Sequence, residues 1–114
     1  MNVKNLSFGS IEIDGKTYEK DVIIDRGAIK KRHKAESKKY SVVFGHTPLS
    51  PEENIPWDCK CLIVGTGHSS SLPIMNEVIE IARRKGVKLV SMSTPEAVKH
   101  INDPDTNLIL HLTC

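Results

Sequence analysis

Residues 62–71, Leu-Ile-Val-Gly-Thr-Gly-His-Ser-Ser-Ser, decide the fold of this chain. An uncharged apolar run stops at two glycines, passes into hydroxyl residues and leads to a helical pattern. That order marks a buried parallel strand delivering a loop to its carboxyl end, where α/β folds usually bind ligands. From about residue 72 to 85, the apolar positions Ile74, Met75, Val78, Ile79 and Ala82 recur on one helical side. Arg83, Arg84 and Lys85 suit the negative end of the helix dipole, and Gly86 is the expected stop. Residues 87–92 form the next strand. Together these segments make one right-handed β-α-β unit with parallel strands. Thr94-Pro95-Glu96 caps a second short helix running to about Ile101, and Asn102-Asp103-Pro104 ends it. Residues 108–112 form the last strand.

The first half reads as a meander. Residues 8–13 alternate apolar and polar at period two, and Asp14-Gly15 supplies a favoured hairpin turn. The chain returns through residues 18–24, turns again at Arg26-Gly27 and continues as a basic edge strand over residues 28–34. Residues 38–44, with Tyr40, Val42 and Val43, are strand-like until Gly45-His46-Thr47-Pro48 breaks the pattern. Ser50-Pro51-Glu52-Glu53 has the order of a helix start, with Ser50 as N-cap and Glu53 completing a capping box; Pro56 stops it.

At 114 residues, with 39% hydrophobic and 26% charged side chains, one domain over residues 1–114 with a single core is expected. No apolar run approaches the roughly twenty residues that cross a bilayer. No signal or import segment is visible at the start, so the cytoplasm is the expected location and a membrane is not an expected partner. Cys59, Cys61 and Cys114 are an odd set, which argues against a disulfide framework, and the spacing of Cys59 and Cys61 is shorter than a zinc knuckle uses. A net charge of +2 is mild, so any basic effect must be local.

Two places could carry chemistry. If the strands ending at Gly65 and Met92 are parallel neighbours, their loops leave the same sheet edge and each leads into a helix N-terminus. Orphan N–H donors there, with Gly65, Thr66, Gly67, His68, Ser69, Ser70, Ser71 and Thr94, would form a crevice that attracts an anion. The plainer alternative is that the glycines permit a tight turn and the hydroxyls cap. Gly65-Thr66-Gly67 does not extend to a dinucleotide fingerprint: Ser70 stands at the third glycine position, and no acid ends the next strand. No P-loop is present, so no cofactor is expected. His68 adjoins Ser69, but sequence neighbours on a loop seldom have the geometry of a base and its nucleophile, and no carboxylate lies near in sequence; no catalytic residue is therefore assigned. His33, His46, His100 and His111 lack ligand spacing, so no metal site is expected, and His111 is expected on the less buried face of the last strand.

The second place is the cluster Arg26, Lys30, Lys31, Arg32, Lys34, Lys38 and Lys39. In a strand, Lys30, Arg32 and Lys34 would line one face and could meet phosphates. Edge-strand lysines more often prevent sheet-to-sheet association, and aromatics at 4% are few for stacking on bases, which disfavours nucleic acid.

A set of ordered motifs then stands out: Phe8-Gly9-x-Ile11-x-Ile13, Tyr18, Asp21-Val22-Ile23-Ile24, Gly45-His46, Gly65-Thr66-Gly67, Thr94-x-x-Ala97, Asn102 and Leu110-His111-Leu112-Thr113-Cys114. They resemble the archaeal Mth-type domain family of unknown function, which includes the human adipogenesis-associated protein and the mitochondrial complex I assembly factor. The resemblance implies an α/β fold in three layers: a mixed, mostly parallel central sheet, flanking helices and a small antiparallel sheet. It implies no reaction and no catalytic residues. The family's glycine-threonine-glycine turn maps onto Gly65, Thr66 and Gly67, and its threonine onto Thr94; Ile101 stands where relatives often have tyrosine.

The leading expectation is a cytoplasmic, non-enzymatic interaction or assembly protein that docks a small anion or a protein partner at the Gly-Thr-Gly loop. The alternatives are an enzyme for a small anionic metabolite with His68 as acid/base, and nucleic-acid binding through residues 26–39.

Overall fold

The computed structural model describes all 114 residues. Its centre is a five-stranded sheet in the order β4-β3-β7-β5-β6. The strands are β3 (Val22–Asp25), β4 (Ala28–Lys31), β5 (Cys61–Gly65), β6 (Lys88–Met92) and β7 (Thr106–Leu110). β5 runs parallel to both β6 and β7, as the β-α-β pattern requires, whereas β3 is antiparallel to β4 and β7. A separate antiparallel hairpin, β1 (Ile11–Ile13) and β2 (Lys16–Tyr18), turns at Asp14-Gly15, both at positive φ.

Period-two alternation divides the central strands between two cores. Ile23, Leu62, Val64 and Ile109 face one side, where Val78 and Ala82 of helix α2 (Asn76–Lys85) and Leu49 cover them. Val22, Ile24, Ile63, Leu108 and Leu110 face the other, covered by Ile11 and Ile13 and by Ala97 of the short helix α3 (Thr94–Ala97), which runs on as a 3-10 turn to His100. Three layers result. α2 closes on Gly86 in the left-handed region, whose N–H caps the last turn, as the sequence indicates.

Five expectations need correction. The single core expected is two, one on each face of the central sheet. The returning strand of the meander is broken at residues 19–21, so β2 and β3 belong to different sheets. Residues 38–44 are not a strand: a 3-10 helix (Lys34–Tyr40) leads into the single-turn helix α1 (Ser41–Phe44), and Val42 is 92% exposed. With no strand beside it, β-branched composition alone cannot hold an extended ladder. Ser50–Glu53 forms a turn rather than a helix, although the Glu53 carboxylate does accept the Ser50 N–H. α2 begins at Asn76 rather than near Leu72, because Leu49 and Ile74 form a bridge that keeps residues before Met75 extended.

Candidate functional site

The loops after β5 and β6 do leave the same edge and are tied together. The Gly67 N–H donates to Thr94 Oγ1 at 2.9 Å, the Thr94 N–H donates to the Gly67 carbonyl at 3.0 Å, and Thr66 donates through both N–H and hydroxyl to the Met92 carbonyl. The Thr94 hydroxyl donates onward to the His111 carbonyl, and the His111 N–H returns to the Gly65 carbonyl at 2.9 Å. Gly65 is needed for closeness: a Cβ there would lie 3.0 Å from Thr94 Oγ1 and 3.1 Å from Ala97 Cβ. Three strand ends therefore meet around the buried Thr94.

The crevice that the sequence suggests is taken by the protein's own backbone. His68 N–H donates to the Thr113 carbonyl at 2.8 Å, while the N–H groups of Ser69 and Ser71 donate to the Cys114 oxygen at 3.3 and 2.9 Å. Gly67, at φ +105°, packs directly on Cys114. Nor do two helix N-termini converge, since α2 starts well beyond the loop. The loop is a donor site for backbone oxygens, as its bare N–H groups imply, with residues 113 and 114 seated in it. Ser70 adopts positive φ at the loop's tip, and His68 packs at a tilt against Phe8 with Nε2 3.2 Å from the Ser7 carbonyl and no carboxylate partner.

Beside this seat lies a cluster that has no counterpart among the sequence expectations. Arg32 is fully buried, which removes it from the proposed basic face. β4 ends at Lys31, so strict alternation no longer governs Arg32, whose N–H donates to the Asp21 carbonyl. Its Nε and Nη2 fork onto the Glu53 carboxylate at 2.7 and 2.9 Å, Nη2 also donates to the Pro48 carbonyl, and Nη1 donates to Asp21 Oδ2 at 2.8 Å. Ser37 donates to Glu53 and pairs with Ser50. Burial disfavours the Arg32 cation, yet the bonds and charge of Glu53, and then of Asp21, raise its pKa.

On the other side, Asp21 Oδ2 lies 2.7 Å from His111 Nδ1, and Asp21 Oδ1 accepts the Leu112 N–H at 2.9 Å. His111 is thus buried beyond the end of β7, not on an exposed strand face. Burial pushes the Asp21 carboxyl up, but the hydrogen bond and charge of His111, the Leu112 N–H and Arg32 outweigh it and hold the pKa at about 2. A carboxyl depressed from 3.8 stabilises the fold above its unfolded pKa and loses that contribution as pH falls through the folded value. Asp21 is accordingly expected to supply about 2 kcal/mol that disappears between about pH 4 and pH 2. Urea unfolding of Asp21→Asn should lose that much of the wild-type's acid dependence; an unchanged pH profile would contradict the assignment.

A hollow of about 590 Å³ opens onto Asp21, Arg32 and Thr113. Its remaining charged lining includes Lys20, Lys31, Lys34 and Lys38 against Glu19 and Glu36. None of the four lysines has a carboxylate within ion-pair distance, in contrast to Lys30 and Arg26, which pair with Asp25 and Asp58, and Lys39, which faces Glu52. Sequence reasoning finds Lys34 but misses Asp21, Glu53, His111 and Thr113, because their meeting depends on pairings as much as 90 residues apart. A larger depression, about 700 Å³, lies at the opposite sheet edge near Asn107, away from the loops.

A family model described as "Protein of unknown function (DUF498/DUF598)" matches residues 3–103. Among solved structures, the chain is similar to the conserved hypothetical protein PH1505 from Pyrococcus horikoshii OT3, with TM-score 0.83 and 28% identity over 100% of both chains. It is also similar to a protein titled MT938, with TM-score 0.71 and 20% identity over 98% of this chain and 97% of that one. A structure described as an outer membrane protein from Bartonella henselae shares the fold, with TM-score 0.66 and 14% identity over 98% and 94%. No curated protein sequence matches the chain. No helix is long and apolar enough to cross a membrane.

Proposed function

Because the chain belongs to the DUF498/DUF598 family of proteins of unknown function, the fold brings no reaction with it, and we propose a function from the site alone: an interaction protein that holds a small, multiply charged anion, or an anionic group of its partner, in the lysine-lined hollow at the carboxyl edge of the sheet. The observation that carries this reading is the division of the basic segment. Of its seven cations, Arg26, Lys30, Arg32 and Lys39 have acidic partners; Lys31, Lys34 and Lys38 have none, and those three line the hollow with Lys20. Unpaired lysines around a concavity act as point charges for phosphate or carboxylate groups. The three free cysteines fit the reducing cytoplasm.

The gathering of the unpaired lysines around one hollow favours a compact anion over an extended nucleic-acid backbone, which would draw on Arg26, Lys30 and Arg32 as well. The His68 alternative has less support, since nothing orients that imidazole.

Titration with pyrophosphate, followed by amide NMR, tests the reading. Shifts are expected at residues 31–38 and at Thr113, with binding weakened about tenfold or more in Lys34→Glu/Lys38→Glu and falling steeply with salt. Shifts confined elsewhere, or none, would overturn it.

A further inference from the structure

We propose that Thr113, His111 and Asp21 form a hydroxyl–imidazole–carboxylate relay that transfers the acyl group of a small anionic ester. The relay rests on the basic hollow for its choice of substrate but stands on its own geometry. Asp21 Oδ2 lies 2.7 Å from His111 Nδ1, and His111 Nε2 lies 3.2 Å from Thr113 Oγ1. An ionised carboxylate can only accept, so Nδ1 carries the ring proton, and in the neutral imidazole Nε2 accepts from the Thr113 hydroxyl. A nucleophile within reach of a base, with the base oriented by a third group, is the arrangement that activates a hydroxyl.

Two further features make the cluster more than a buried hydrogen-bond chain. Asp21 is fixed from two other directions, by Arg32 Nη1 at 2.8 Å and by the Leu112 N–H at 2.9 Å, so the imidazole is held in one orientation. Thr113, by contrast, is half-buried and lines the hollow of about 590 Å³, with its carbonyl pinned by the His68 N–H. The hydroxyl is thus presented to a cavity whose unpaired lysines would hold the anionic end of an ester. The Thr113 N–H makes no hydrogen bond within the protein and remains a donor for a developing oxyanion.

The chemistry balances without a cofactor. Thr113 Oγ1 bonds to the acyl carbon as His111 Nε2 takes its proton; the ester C–O bond breaks, and His111 returns the proton to the departing alkoxide. Water, deprotonated by the same nitrogen, then attacks the Thr113 ester, releasing the carboxylic acid and restoring the hydroxyl. Thr113 and His111 are the catalytic residues in this scheme. Asp21 acts through His111 and is a positioning residue.

The test uses p-nitrophenyl hemisuccinate, an activated ester with a free carboxylate, and its neutral counterpart p-nitrophenyl acetate. Nitrophenolate release and peptide mass spectrometry are expected to place the acyl group on Thr113. Thr113→Val, which keeps the shape, should cut release by more than about tenfold, and Thr113→Ser should retain it. Asp21→Asn should lower kcat per folded molecule by a similar factor with KM unchanged, the folded fraction being fixed by urea titration, because a smaller folded population would by itself lower apparent kcat at constant KM. Acyl groups only on lysines, or unchanged release in Thr113→Val, would overturn the relay. If Thr113 is acylated but pyrophosphate does not compete and the acetate reacts as readily as the hemisuccinate, the relay stands and the anion site fails.

Discussion

Arg32→Ala is expected to destabilise the protein by about 3–5 kcal/mol, read as a large fall in the urea midpoint at unchanged slope. The guanidinium is fully buried and makes four hydrogen bonds, two to Glu53, one to Asp21 and one to the Pro48 carbonyl. Truncation leaves the Glu53 carboxylate, itself 1% exposed, charged in an apolar setting with only hydroxyl and amide donors. A buried pair adds little over a well-packed apolar replacement, but removing one partner strands the other, and that asymmetry sets the size of the effect. Arg32→Lys should recover only part of the loss, because an ammonium cannot fork onto Glu53 while reaching Asp21. Arg32→Ala/Glu53→Ala should be less destabilised than the sum of its single changes, since the stranded charge is gone. Substituting the exposed Lys38 should shift stability by only about half a kcal/mol. An Arg32→Ala loss no larger than that would mean the cluster contributes nothing to the fold.

The contrast between Arg32 and Lys38 also shows how far the sequence could be read. Both stand in a basic run whose composition suggests a solvated stripe, and nothing local distinguishes them. The difference comes from Asp21 and Glu53, placed by a strand break and by a turn whose capping-box residues never form a helix. Where patterning is dense the reading holds. β5, α2, β6 and α3 follow from apolar period, the Gly86 stop and the proline in the first turn of α3, although the Thr94 hydroxyl bonds the His111 carbonyl instead of capping that helix. The pairing of the Gly65 and Met92 exits follows from right-handed crossover. It fails at residues 38–44, where strand propensity had no neighbouring strand to satisfy it. His111 is the sharpest case. Its flanking leucines suggest alternation in a strand, but β7 ends at Leu110 and the imidazole turns toward an aspartate 90 residues earlier. The Gly-Thr-Gly loop was legible as a place that attracts negative oxygen; that the oxygens belong to Thr113 and Cys114 was not, because no local rule links residue 67 to residue 114.

Gly67→Ala tests that last link and is expected to cost about 2–4 kcal/mol. Two effects add. At φ +105° any L side chain is strained, and the new methyl would overlap the Cys114 backbone, which cannot yield as a flexible side chain can. Residues 113 and 114 must therefore leave the loop, releasing the acceptors of the His68, Ser69 and Ser71 N–H groups. Those three amides should lose hydrogen-exchange protection in the variant while the β5 and β7 amides lose less, because the ladder between Gly65 and Leu110 lies on the far side of Thr94. Gly15→Ala is the appropriate comparison: it shares the positive φ, but nothing lies within 4 Å of its added methyl, so it carries the backbone strain without the collision. Equal losses in the two variants would assign the whole effect to φ and would mean that the seating of Thr113 and Cys114 does not hold the edge together. A larger loss for Gly67→Ala, with exchange opening at His68 and Ser71, would establish that the loop's donors work by gripping the strand that carries Thr113 to the hollow.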